Sequence, residues 1–263
     1  VRLYLEIVRR AFSRQLTYRA ATLAGMATNC FFGILRSYVF IAAYTGRVDA
    51  RGWTLDDALT YVWVGQALIM PVFMWGWWDI ALAIRSGDVV TYLSKPFDFY
   101  GYWLSQDAGR AICHTLTRGV PTLMFGLLVF DIALPSSALN ALSFAASVVL
   151  AVWISFGLRF LLNISAFWLL DYRGPGILLM FATSFFSGLL VPLVFWPDWA
   201  RTIAEALPFS GIIQVPADVY LGKLADGALL GALVFQLAWA LALMLAGRRL
   251  ISLAITRVVV QGG

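Results

Sequence analysis

The feature that most limits what this chain can fold into is a series of long apolar runs separated by short polar turns. They lie at about 20–44, 57–78, 111–131, 138–169, 177–195 and 228–247. A helix rises 1.5 Å per residue, so about 20 apolar residues cross the ~30 Å hydrocarbon core of a bilayer. The runs are too long for the ~10-residue alternating strands of a membrane barrel. Hydrophobic residues make up 61% of the chain and charged residues only 13%, where a soluble domain carries about a quarter charged. The reading is an all-α polytopic membrane protein with six transmembrane helices.

The first 19 residues have a different pattern. Leu5, Val8, Phe12 and Leu16 fall on one side of a helix, and Arg2, Glu6, Arg9, Arg10, Ser13, Arg14 and Thr17 on the other. A basic amphipathic helix of this kind lies in the headgroup layer. It is unlike a signal peptide, which has a short basic stretch followed by an apolar one. Residues 20–257 then form the membrane domain. Asn29 and Arg36 sit in the first run, and Gln66 and Pro71 in the second. Trp75, Trp77 and Trp78 at the end of the second run suit an interfacial aromatic belt. A polar loop is expected at 79–110. Residues 196–227, broken by Pro197, Pro208 and Pro216, hold two pieces too short to cross, at 199–207 and 209–221. They read as an external re-entrant region, which protein must surround.

Six crossings put both termini on one side. With the N-terminus inside, that side holds Arg2, Arg9, Arg10, Arg14, Arg19, Arg85, Lys95, Arg110, Arg173, Arg248, Arg249 and Arg257. The other has only Arg47, Arg51, Arg201 and Lys223. The positive-inside rule therefore places both termini in the cytoplasm of an inner (plasma) membrane. The net charge of +5 follows this topology and forms no patch for nucleic acid.

Chemistry of its own is hard to find. The only lysines are Lys95 and Lys223, and Gly222-Lys223-Leu224 lacks the Ser or Thr of a phosphate loop. The single His114 adjoins Cys113, but neighbours on a helix do not face each other. Cys30 and Cys113 suggest neither a disulfide framework nor a metal site. The carboxylates read as loop residues, with none in mid-membrane where an ion-coupled carrier keeps them. No enzyme and no cofactor is expected in this chain, and a passive subunit driven from outside fits best.

With these features together, the chain resembles the permease subunits of ABC-2 type exporters, in a branch of ABC-type transport-system permeases. The segments that carry the likeness are Gly87-Asp88-Val89-Val90-Thr91-Tyr92-Leu93-Ser94-Lys95-Pro96, Gly188-Leu189-Leu190-Val191-Pro192-Leu193, Trp196-Pro197-Asp198-Trp199 and Leu207-Pro208-Phe209. The likeness implies a type V exporter fold. It implies two ABC ATPase subunits that hold ATP and magnesium, and a second permease chain, the same or unlike. It further implies efflux of an amphipathic or hydrophobic substrate such as a drug, lipid or peptide. A non-transporting scaffold or sensor subunit and an ion-coupled secondary carrier are the alternatives.

The island at 84–97 is then the expected coupling helix. Ile84, Val89, Leu93 and Phe97 would anchor it in an ATPase cleft, Arg85, Asp88 and Lys95 would set its register, and Pro96 would stop it. Ser86, Gly87 and Tyr92 belong to the same surface. An ordinary solvated loop helix is the plainer reading. The resemblance makes Gln66 a pathway-lining residue, with Phe185, Phe186 and Leu189 opposite and Asn29 nearby. Interhelical hydrogen bonding is the plainer role for the polar ones. Arg110, His114 and Arg118 repeat along one helix face and read as snorkelling to the inner surface rather than holding an anionic headgroup or the Asp residues of the preceding loop. Arg159 and Asn163 are expected to pair with Asp171 or lipid phosphate.

Overall fold

The computed structural model describes residues 1–46, 49–72, 77–169, 172–224 and 226–255. In chain order its helices are α1 (Arg2–Leu16), α2 (Arg19–Ala43), α3 (Leu55–Val72), α4 (Asp79–Ser86), α5 (Val89–Leu93), α6 (Phe99–His114), α7 (Val120–Phe130), α8 (Ala138–Ile164), α9 (Arg173–Phe186), α10 (Asp198–Ala206), α11 (Gln214–Tyr220) and α12 (Asp226–Ile255). Four units are long and apolar enough to cross a membrane: Arg19–Ala43, Phe99–Phe130, Ala138–Phe167 and Asp226–Ile255. The second is α6 and α7 joined by a π-helical turn at Thr115–Gly119.

The centre of the molecule is α3, buried on nearly every side. Its start is fixed by a reciprocal cap. The Thr54 amide donates to the Asp57 carboxylate at 2.9 Å, and the Asp57 amide donates to the Thr54 hydroxyl at 3.2 Å. Helices close on it through glycines. The Trp63 ring lies between Gly33 of α2 and Gly126 of α7, where a Cβ would stand 2.8 Å and 2.5 Å from its atoms. Small residues allow this close approach of packed helices. Pro71 has no N–H for the Ala67 carbonyl, and Gly119 of the π turn sits against that carbonyl, 2.9 Å from where its Cβ would be.

On the far side α8 packs along α12. Gln236 donates to the Ser147 and Gly211 carbonyls at 3.1 and 2.7 Å and accepts from the Ser147 hydroxyl at 2.9 Å. The segment from Ser187 to Tyr220 folds back on α3. Tyr61 of α3 donates to the Gly188 carbonyl (3.0 Å) and to Gln214 Oε1 (2.8 Å), and that oxygen also accepts from the Leu193 amide at 2.9 Å. Gly188 turns the chain with φ of +81°.

Several boundaries differ from expectation. The third apolar helix begins at Phe99, about a dozen residues early, so the polar loop is shorter than 79–110. Residues 99–110 are helical because their polar groups find partners inside the fold, as described below. The run at 177–195 is helical only to Phe186, where Gly188 and Pro192 end it. Its 14 residues span about 21 Å. Trp75 lies outside the described residues. Trp77 and Trp78 serve packing rather than a belt: Trp77 meets Trp103 and Phe156, and Trp78 fills the notch left by Gly176.

The amphipathic α1 has three faces, not two. Ile7 and Ala11 are buried against α6, the arginines are exposed, and Leu5 and Leu16 stay open at 63% and 43% exposure. The seat is Gly109 of α6, which packs against the Val8 carbonyl and lies 2.8 Å, by its would-be Cβ, from Ala11. Gly109→Val should therefore undock α1 while the bundle stays folded. Hydrogen exchange should rise over residues 2–16 and stay unchanged in α3 and α8.

Candidate functional site

Where α3 ends, three elements converge on its free carbonyls, and polar side chains that read as loop residues in the sequence are buried there. Asp107 of α6 is the hub. Arg159 of α8 binds its carboxylate in a fork, with Nη1 donating to Oδ1 at 3.1 Å and Nη2 to Oδ2 at 2.9 Å. Arg110, one turn along α6, donates through Nε to Oδ1 at 2.9 Å. All three side chains are at least nine-tenths buried.

Two arginines on one carboxylate leave a surplus positive charge. The end of α3 takes it up. Arg110 donates to the Met70 and Pro71 carbonyls at 2.7 and 3.0 Å, which belong to the last turn, where intrahelical partners run out. Ser155 of α8 donates to the Val72 carbonyl. The entry to α4 lies under the same clamp. Asn163 donates to the Trp77 carbonyl at 2.8 Å and accepts from the Ala81 amide at 3.0 Å, and Arg159 lies over the Trp77 ring. Thus α3 and α4 are both tied to α8, and α3 also to α6. Arg110 does not snorkel; it is inside the fold. Arg159 pairs with Asp107, while Asp171 lies outside the described residues. Asp107, read as a loop carboxylate, sits instead in one of the four apolar units. Arg118, further along, rests against Gly25 of α2.

The island is built on this clamp. It is two short helices, not one. Gly87, at φ +83°, closes α4, and α5 follows at once. Arg85, Ser86, Gly87, Asp88 and Lys95 are exposed. The apolar members turn inward: Val89 is buried, and Ile84, Tyr92 and Leu93 pack with Tyr100, Phe156 and Phe160. Val89 is therefore an anchor within the protomer and not for a partner, because its burial keeps the α4–α5 hairpin on the bundle. Burial, reinforced by Tyr102, Asp79 and Asp88, raises the Tyr92 phenol above its ordinary pKa, and Arg14 pulls it back.

The residues expected along a pathway are spread over two settings. Gln66 and Asn29 are buried, and Asn29 donates to the Gln66 carbonyl at 3.3 Å. Leu189 is buried too, packed on Gly65 of α3. Phe185 is half exposed, with Phe186 and Trp196 around it. Arg36 donates to the Leu189 and Leu190 carbonyls, a latch across the same turn that the sequence did not suggest. Asp107 was missed for a similar reason, since its partner Arg159 is 52 residues away.

The sequence model of a family described as ABC-2 family transporter protein matches residues 31–262. The chain belongs to that family and is a membrane component of an ABC-2 transporter, a class that works with ATPase partners. No curated protein and no solved structure matches it.

Removing one member of a buried, hydrogen-bonded charge cluster leaves the others uncompensated, at a cost of about 3–5 kcal/mol. Asp107→Asn should thus lower the thermal midpoint of the purified protein far more than Asp88→Asn, which breaks no buried pair. Melting both in the same detergent checks this.

Proposed function

We propose that this ABC-2 family member is the permease subunit of an ATP-driven exporter for an amphipathic or hydrophobic substrate. Two ATPase subunits drive it from the cytoplasm, and it works as a pair with a second permease chain, the same or unlike. In this reading the chain crosses the membrane six times. The shorter α3 and α9 join the four long apolar units, the region from Trp196 to Gly227 lies outside, and both termini lie inside.

The observation that carries the reading is the exposed polar ridge of the α4–α5 hairpin standing on a rigid base. Arg85, Asp88 and Lys95 offer a partner charged contacts, and Ser86 a polar one. Force applied there reaches the ends of α3 and α8 through the Asn163, Arg159 and Asp107 bonds. A loop without that base would bend instead of transmitting. The substrate path runs where α3 meets the turn after α9. Parting Leu189 from Gly65 opens Gln66, Asn29, Phe186 and Phe185 to a mainly apolar route. Asp107 is held by two arginines and is not free to carry a proton, which speaks against an ion-coupled carrier.

Exchanging the ridge charges tests the proposal. In the complex reconstituted with its ATPase, Arg85→Glu with Asp88→Arg should cut substrate-stimulated ATP hydrolysis and transport by at least about tenfold, the effect of losing roughly 1.4 kcal/mol of interface energy. The variant alone should melt as the parent does. Unchanged stimulation would remove the hairpin from the coupling role.

A further inference from the structure

Between α1, the α4–α5 hairpin and α6 lies a cavity of about 760 Å³, within the range of pockets that hold small ligands. It lies outside the path between α3 and the turn after α9. Its mouth is polar, and the two sides differ in sign. The α1 side carries Arg14. The α4–α5 side carries Asp79 and Asp88. Among the described residues none of these three makes an ion pair. The two sides are set by different supports, α1 being seated on α6 at Gly109 and the hairpin being tied to α8 through Asn163.

The wall between them mixes aromatic rings with Gln106, His114 and the Asp107–Arg110 pair. Tyr92 packs on Trp103 with ring centroids 5.3 Å apart, and Trp77 meets Trp103 edge to face at 5.9 Å. Rings of this kind attract cations, and Tyr92 and Trp77 already hold one each, Lys95 at 5.7 Å and Arg159 at 5.4 Å from the ring centroids. The Trp103 side chain is 93% buried by its 7% exposure, and its indole N–H has no hydrogen-bond acceptor among the described residues. That N–H is shut off inside the wall, so the groups left for a ligand are a guanidinium at one side and, at the other, two carboxylates that each accept one hydrogen bond, from the Trp77 indole and the Ser86 hydroxyl. A ligand that uses them carries both a cation and an anionic oxygen group.

The same helix that supplies Arg14 shows where such a ligand comes from. Its Leu5 and Leu16 are exposed, and an amphipathic helix with a basic side and an apolar side lies at the level of lipid headgroups. Leu82, 53% exposed, adds apolar surface to the lining. We propose that this cavity binds the zwitterionic headgroup of a phospholipid, with its phosphate toward Arg14 and its ammonium toward Asp79 and Asp88. This site does not depend on the coupling role of the hairpin, because it needs no ATPase.

Binding is measured on the purified permease alone. Native mass spectrometry after release from nanodiscs containing equal phosphatidylethanolamine and phosphatidylglycerol should show one phosphatidylethanolamine retained in preference. Arg14→Gln should lower that retention about fivefold, the upper end for a single exposed ion pair, and Asp79→Asn with Asp88→Asn should lower it at least as much. Ala83→Trp, which puts an indole into the cavity, should lower it further; circular dichroism checks that each variant stays helical. Soluble glycerophosphoethanolamine at the same concentration distinguishes the source: competition weaker than the lipid's supports a membrane-borne headgroup, and equal competition overturns it. Equal retention of the two lipids, or retention indifferent to the cavity variants, also overturns the proposal.

Discussion

The arrangement depends on one carboxylate held by two arginines. Asp107 gathers Arg110 and Arg159 at the end of α3, and the positive charge left over is met by helix carbonyls. A charge cluster away from water is tolerated only if every member is paired and hydrogen-bonded. That requirement makes the junction stiff. None of α3, α6 and α8 can shift here alone without stranding a charge or a carbonyl. The hairpin α4–α5 inherits the stiffness, because Asn163 of the same α8 holds both its entry at Trp77 and its first turn at Ala81.

A second constraint operates by shape. Trp63 between Gly33 and Gly126, Trp78 in the notch at Gly176, and Gly109 under α1 each place a large group or a backbone where only a glycine leaves room. These contacts set the spacing of α2 and α7 on the central helix, of α9 against the start of α4, and of α1 on α6. They are local and shape-specific, so they fix position without polar groups in the apolar part of the fold. The polar junction and the glycine notches divide the labour. The first ties the α4–α5 end together, and the second lets the remaining helices lie close.

The long helices α2, α8 and α12 were plain in the sequence, because their apolar runs are long enough to outweigh Asn29, Arg36 and Arg159 within them. The beginning of α6 was not. Asp107 and Arg110 read as loop, and only Arg159, 52 residues later, and the carbonyls at the end of α3 explain why they are helical and buried. The end of α9 was missed because Leu189-Leu190-Val191 continues the apolar run past the Gly188 turn. At the hairpin, Ser86-Gly87-Asp88 did mark an exposed polar surface. Its break into two helices, and the inward turn of Val89, depend on packing against Phe156 and Phe160 of α8, which a single segment cannot reveal. The family likeness read from short motifs holds over residues 31–262.

The central claim is that the hairpin and the end of α8 that carries Arg159 and Asn163 move as one body. Spin labels at Ser86→Cys and at Leu169→Cys, just past the end of α8 at Ile164, with Cys30 and Cys113 replaced by serine, report that distance by pulsed electron resonance in the complex with its ATPase. A reference pair, Ser86→Cys with Leu23→Cys, reports motion against α2. The account predicts that ATP leaves the first distance distribution unchanged while the second shifts. A first distance that changes on ATP binding, with the hairpin sliding over α8, would contradict it.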